Sequence, residues 1–364
     1  MKLKFLFLTT ILLLTATVLS ACTGGATVAS SWPGLAVDTD TAYVAYNRSV
    51  HAINLSNGTE KWKFPAEPDN KITFYSDPAI SPDGQLIVGG YNKILYSLNP
   101  ATGLLNWEFT DGENHYIAPP LAVEKGIYAP NADDNIYALD SSGALRWKYV
   151  SDGDVWAQPV TDPDCECLYL SSMEHYLYSL NPEDGSMLWQ SEKLGGSIVG
   201  VPALSVDKVL YVGTFGSEII ALNAQNGEVL WRVPTDGWIW SGPTLAEDRL
   251  YVGDMNGNFY AFSAKDGSTI WKVTADKLGG PIIGSPLVDA DTIYVGTEVG
   301  KKEGNLIALD TSGNIKWKQT VSGPLYPSPR LAGDLILVAP MSADELLIAF
   351  TKDGARQWTF VPEK

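Results

Sequence analysis

Residues able to do acid–base or nucleophilic chemistry are few in this chain, and they do not converge. The three histidines, His51, His115 and His175, fall in three widely separated stretches. Neither a Gly-x-Ser-x-Gly nucleophile turn nor a His-Glu-x-x-His metal pair occurs. Gly296 to Lys302 lacks the spacing and the closing Ser/Thr of a phosphate-binding loop. Asp254-Met255-Asn256-Gly257-Asn258 begins like a calcium loop but has no distal Glu, and reads as a turn. Acids outnumber bases, 42 to 25, so no carboxylate pair stands out from the background. The net charge of −17 argues against nucleic acid and anionic lipid as partners, because both require a positive surface. No catalytic, cofactor-binding or metal-binding residue is assigned.

Recognition chemistry is better represented. Trp32, Trp156, Trp238 and Trp240 stand one, three or five residues before a proline. Tyr75 and Tyr326 occupy the three-before position, as do Trp156 and Trp240. At the same position Ser30, Ile117, Val199 and Ile283 fill the intervening units. In extended chain, odd offsets face one way, so these side chains share a surface. Tyr91 and Phe215 join them from neighbouring loops, with Tyr46, Met173 and Met255. Large rigid aromatics of this kind serve as anchors for a protein or peptide partner. The expected partner-binding face is therefore Trp32, Tyr75, Tyr91, Trp156, Phe215, Trp238, Trp240 and Tyr326. A glycan is the alternative occupant of such a face.

The elements that must position these residues form a repeat. Gly-x-x-x-Trp recurs at Gly58/Trp62, Gly103/Trp107, Gly143/Trp147, Gly185/Trp189, Gly227/Trp231, Gly267/Trp271, Gly313/Trp317 and Gly354/Trp358. Successive Trp residues are 40 to 46 residues apart, the length of a four-stranded propeller blade. In phase with them run a small residue (Ala52, Ser97 and equivalents), a β-forming cluster (such as Leu210-Tyr211-Val212) and a proline (Pro33, Pro78 and equivalents). Strand A surrounds the Pro, strand B is the apolar cluster, strand C ends near an Asn or Asp, and strand D holds the Trp. A single four-stranded sheet cannot bury both faces, whereas a ring of them does. The fold expected is all-β: an eight-bladed β-propeller of four-stranded antiparallel blades, each complete in itself. The A–B turns, rich in Asp, fall on the face opposite the aromatics. Cys165 and Cys167 lie in one of those turns, where free thiols and a local disulfide both remain open.

The pattern Ala-x-Asp/Asn-x-x-x-Gly-x-x-x-Trp resembles the tryptophan-docking motif of the pyrroloquinoline-quinone (PQQ) repeat family. It covers nearly the whole chain after the first thirty residues. The resemblance implies that Trp62, Trp107, Trp147, Trp189, Trp231, Trp271, Trp317 and Trp358 pack between blades as structural residues. Two branches share that fold: PQQ-dependent dehydrogenases and the outer-membrane protein assembly factor BamB. The dehydrogenases carry a vicinal Cys-Cys pair at the cofactor, whereas here Glu166 separates Cys165 from Cys167. A PQQ-dependent quinone binder is thus the alternative to a non-enzymatic, BamB-like scaffold without a cofactor.

The N-terminus reads as an address. Met1-Lys2-Leu3-Lys4 is basic, and Phe5 to Leu19 is an apolar run too short to span a bilayer. Leu19-Ser20-Ala21-Cys22 resembles the bacterial lipobox, which implies lipidation at Cys22. The expected organisation is a lipoprotein signal peptide over 1–21, a short tether over 22–29 and a single propeller over 30–363. The expected location is the cell envelope, lipid-anchored outside the cytoplasm.

Overall fold

In the computed structural model, the described residues are 31–363 apart from Pro68, Pro163, Ser342 and Ala343. The signal peptide, Cys22, the tether and Ser30 lie outside them. The described residues contain 32 strands in eight four-stranded antiparallel sheets, each with its strands in chain order. Blade 1 is built from Gly34–Val37, Thr41–Tyr46, Ser49–Asn54 and Glu60–Phe64, here strands A to D. Blade 8 is built the same way from Arg330–Ala332, Leu335–Val338, Leu347–Thr351 and Arg356–Phe360. No blade borrows a strand from the other terminus, and strand A of blade 1 lies beside strand A of blade 8. One helical turn, Ala275–Leu278, interrupts the connection into blade 7.

The strand A boundaries differ from the sequence expectation. In all eight blades the proline stands immediately before strand A, not within it. A proline has no N–H for the ladder, so pairing starts one residue later. The B–C hairpin of blade 7 is also longer than expected. Its strands Thr292–Val299 and Glu303–Asp310 absorb most of the Gly296–Lys302 segment.

Each Trp of strand D lies directly opposite the small residue of strand C, for example Ala52 opposite Trp62 and Ala221 opposite Trp231. A β-bulge follows that pair in every blade. The indole then leans onto the C–D turn of the next blade. A Cβ placed on Gly103, Gly185 or Gly227 would lie 2.6 Å from Trp62, Trp147 or Trp189 respectively. Those glycines also hold φ between +71° and +75°, which L side chains rarely adopt. The indole N–H donates to a carbonyl of the same turn, as in Trp189 Nε1 to Ala224 O at 3.0 Å. In blades 1, 3 and 4 a strand B tyrosine, Tyr43, Tyr128 or Tyr169, donates to the same carbonyl as its blade's Trp. The contact from Trp358 to Gly58 closes the ring. Apolar clusters fill the spaces between blades, and one of them, from Leu35 to Phe360, joins blade 8 to blade 1.

Candidate functional site

The D–A connections are what turn this ring into a site. In blades 2 to 8 the residue four before the proline is buried: Phe74, Tyr116, Val155, Ile198, Ile239, Ile282 and Leu325. The backbone N–H groups of Phe74, Tyr116, Ile198, Ile239, Ile282 and Leu325 donate to B–C carbonyls of the preceding blade at 2.7–3.4 Å. Four of these side chains cover a glycine of strand B. A Cβ on Gly89, Gly213, Gly253 or Gly296 would lie 2.2–2.9 Å from Tyr116, Ile239, Ile282 or Leu325. From that anchor the chain runs extended into the proline, which restricts the residue before it. The side chains three before the proline therefore point into the central channel.

The channel mouth is a cavity of about 160 Å³. Tyr75, Trp156, Trp240 and Tyr326 line it, alternating with Ile117, Val199 and Ile283. Trp32 lies across it. Its ring meets Tyr75 and Trp240 edge-on at 6.1 Å and Tyr326 at 6.3 Å, so residues entering blades 1, 2, 6 and 8 meet at the axis. The remaining three predicted residues stand outside the cavity and back its walls. Tyr91 packs on Tyr75 at 4.8 Å and stacks on His115 at 3.6 Å. Phe215 packs on both Trp238 and Trp240, and Trp238 sits at the outer rim, 36% exposed. The offset of five thus does not reach the channel, because the extended run begins at the anchor four before the proline.

Serines, Gln158 and Asp77 supply the polar groups at the mouth, and the Ser76 and Ser241 hydroxyls are buried there without a partner. Asp77 is the only carboxylate lining the cavity. It accepts Leu35 N–H at 2.8 Å and pairs with Arg330 at 2.5 Å, tying together residues of blades 1, 2 and 8. Tyr326 donates to Glu298 at 3.1 Å, and burial holds the Tyr75 and Tyr326 hydroxyls above the ordinary phenol range, hence neutral. Of the histidines, His51 bonds Glu60 at 2.6 Å, and burial pushes the His115 imidazole below its usual value. Asp254 is fully buried and accepts from Gly237, Asn258 and Tyr260, so the calcium-like segment is a hydrogen-bonded turn.

The strand B glycines, the anchors and Asp77 were missed by sequence reasoning. The glycines leave a signal there, a Val-Gly pair at Val88-Gly89, Val212-Gly213, Val252-Gly253 and Val295-Gly296.

Comparison with known proteins places this architecture. A family model described as outer membrane protein assembly factor BamB matches residues 16–167, 173–301 and 260–364. The chain belongs to this family. It is 29% identical over 218 residues to BamB of Yersinia pestis, covering 56% of this chain and 54% of that one. It is 26% identical over 154 residues to the quinoprotein alcohol dehydrogenase PedH of Pseudomonas putida, covering 35% and 25%. The matched part is between 20% and 54% of the length of the curated relatives. Among solved structures, BamB from Moraxella catarrhalis superposes with a TM-score of 0.70 at 18% identity, covering 84% of this chain and 93% of that one. The quinohemoprotein alcohol dehydrogenase from Comamonas testosteroni gives 0.73 at 13%, covering 93% and 76%. At such identities the structures share the fold alone.

The quinoprotein relatives raise a cofactor whose fit can be tested on these residues. PQQ is a flat tricarboxylate, and holding it requires cations and oxygen ligands for a metal ion. No Lys or Arg lines the channel mouth, its one carboxylate is already paired, and Trp32 lies across the space. Among the described residues no three His, Cys, Asp or Glu side chains are grouped to hold a metal ion. The residues present do not fit the group.

Proposed function

We propose that this protein is a non-enzymatic scaffold of the cell envelope that binds extended polypeptide at its aromatic channel mouth. One observation carries it. Aromatic side chains from blades 1, 2, 4, 6 and 8 converge on one cavity whose sole carboxylate is consumed by an ion pair. Such a surface has apolar contact area and no acid–base machinery. The BamB family supports outer-membrane protein assembly as the setting, and an anchor at Cys22 with a tether over 22–29 holds the propeller at a membrane on its non-cytoplasmic side. Strand or loop docking across the B–C loops supplies backbone hydrogen bonds, and the aromatics supply the anchors.

The test uses a labelled peptide copying one transmembrane strand of an outer-membrane β-barrel. Substituting Trp156, Trp240 and Tyr326 by Ala together should weaken its binding at least about tenfold, as hot-spot aromatics do. The far-ultraviolet circular dichroism should be unchanged. Unaltered affinity in a folded triple variant would refute the proposal. Tighter binding of an oligosaccharide than of the peptide would favour the glycan instead.

A further inference from the structure

The face opposite the aromatic mouth carries chemistry that scaffolding does not use. Cys165 and Cys167 are joined by a disulfide that closes over a single residue, Glu166, in the A–B turn of blade 4. Cys165 is exposed and Cys167 is only 7% exposed. The bond is not needed to make the turn. Strands Val160–Asp162 and Cys167–Ser171 already pair, and Glu166 holds φ at 54°. The corresponding turns of blades 5, 6 and 7 hold Lys208, Glu247 and Ala290 at φ 62°, 54° and 48° with no sulfur present. A cross-link over so short a loop also constrains the unfolded chain very little.

Two further features point to reactivity. The carboxylates on either side of Cys165 are each bound by a lysine from an adjoining blade. Lys208 Nζ meets Asp164 at 2.6 Å, and Lys125 Nζ meets Glu166 at 2.6 Å. The acids that flank Cys165 are thus partly neutralised, although Lys208 also pairs with Asp162 and Lys125 with Glu183. Lys125 also lines a groove of about 520 Å³ beside the turn, with Arg146 and Glu183. The second feature is Asp162, which is 1% exposed. Its Oδ1 accepts Lys208 and the Asp164 N–H, but its Oδ2 is buried without a partner. Asp162 pairs directly across the strands with Cys167, which puts the two side chains on one sheet face with Cβ atoms about 5 Å apart. Once the disulfide is reduced, the Cys167 S–H adds a donor on the sheet face that carries this oxygen. Satisfying it stabilises the dithiol form, which makes the disulfide an electron acceptor.

We propose that Cys165–Cys167 is a thiol–disulfide exchange site that oxidises a protein or peptide dithiol docked on the A–B face. The partner's thiolate attacks the exposed Cys165 Sγ. The Cys165–Cys167 bond breaks, and Cys167 leaves with the electron pair and takes up a proton. The partner's second thiol then attacks its own sulfur of the mixed disulfide and releases Cys165 as a thiol. Two electrons and two protons pass from the dithiol to the cysteine pair, one equivalent per chain.

The experiment treats the folded full-length chain with excess dithiothreitol, quenches by alkylation and reads the 165–167 peptide by mass spectrometry, so that Cys22 does not interfere. Reduction should be complete without denaturant. In the reduced protein, iodoacetamide should modify Cys165 about tenfold faster than Cys167, following exposure. Cys167→Ser should accumulate a mixed disulfide with oxidised glutathione at residue 165, and Cys165→Ser should not form one at residue 167. In a glutathione buffer, Asp162→Asn should shift the equilibrium several-fold toward the disulfide. Reduction only after unfolding, or equal alkylation rates at the two cysteines, would overturn the proposal. Both readouts come from the wild-type chain and stand even where a variant fails to fold.

Discussion

Two glycines with nearly the same backbone isolate what one indole contributes. Gly84 and Gly185 hold φ at +80° and +73°. A Cβ on Gly84 would meet nothing within 4 Å, whereas on Gly185 it would lie 2.6 Å from Trp147 Cε3. Gly84→Ala should therefore lose only the backbone term, about 1–2 kcal/mol. Gly185→Ala adds an overpacking cost of about 1–3 kcal/mol, because the indole is held by its strand and by its bond to Pro182 O and has nowhere to move. Urea unfolding of the two variants at equal m-value measures the difference. Equal destabilisation would mean that the turn glycines are required for φ alone, and that the Trp contact is slack.

At the scale of elements, the strands were legible because their signals repeat. The Trp, the turn glycine and the small residue opposite the Trp recur eight times at fixed spacing, and the physics behind each is local to one hairpin and its neighbour. The D–A connections were legible only in part. Their odd-offset aromatics could be placed on one side, but the buried anchors vary in type, Phe74, Tyr116, Val155, Ile198, and only burial unites them. Without the anchor there was no way to see where the extended run begins, and Trp238 was grouped with the others on one surface for that reason. The anchor's importance is open to measurement at Gly213, where a Cβ would lie 2.3 Å from Ile239. Gly213→Ala should displace the connection that carries Trp240, at a cost of about 1–3 kcal/mol. The peptide used to probe the mouth should bind more weakly to it, although the substituted residue never touches the cavity. Unchanged peptide affinity in this variant would show that the aromatics are positioned by their mutual contacts and not by the anchors.

The whole ring depends on a seam whose contacts join the two ends of the described chain. Trp358 Nε1 donates to Leu55 O at 2.9 Å across 303 residues, and its ring covers Gly58 just as the other indoles cover their glycines. At the hub the same seam has a contact without counterpart at the other interfaces among the described residues, the Asp77–Arg330 pair with Leu35 N–H, spanning 253 residues. The rim of the seam is thus ordinary blade packing, while its hub is specific. Trp358→Ala and Trp189→Ala should then cost similar amounts, at most about 3 kcal/mol, because both indoles are half-buried. Their local consequences should differ. Opening one of seven internal interfaces leaves continuous chain on both sides, but blades 8 and 1 have no chain connecting them. Hydrogen exchange in Trp358→Ala should rise through strands A of blades 1 and 8 and reach the Trp32 contact with Tyr326, so the mouth loosens from the seam inward. In Trp189→Ala the same amides should stay protected. If both variants loosen the mouth equally, closure is carried by the ring as a whole, and the Asp77–Arg330 clasp adds nothing that the other interfaces lack.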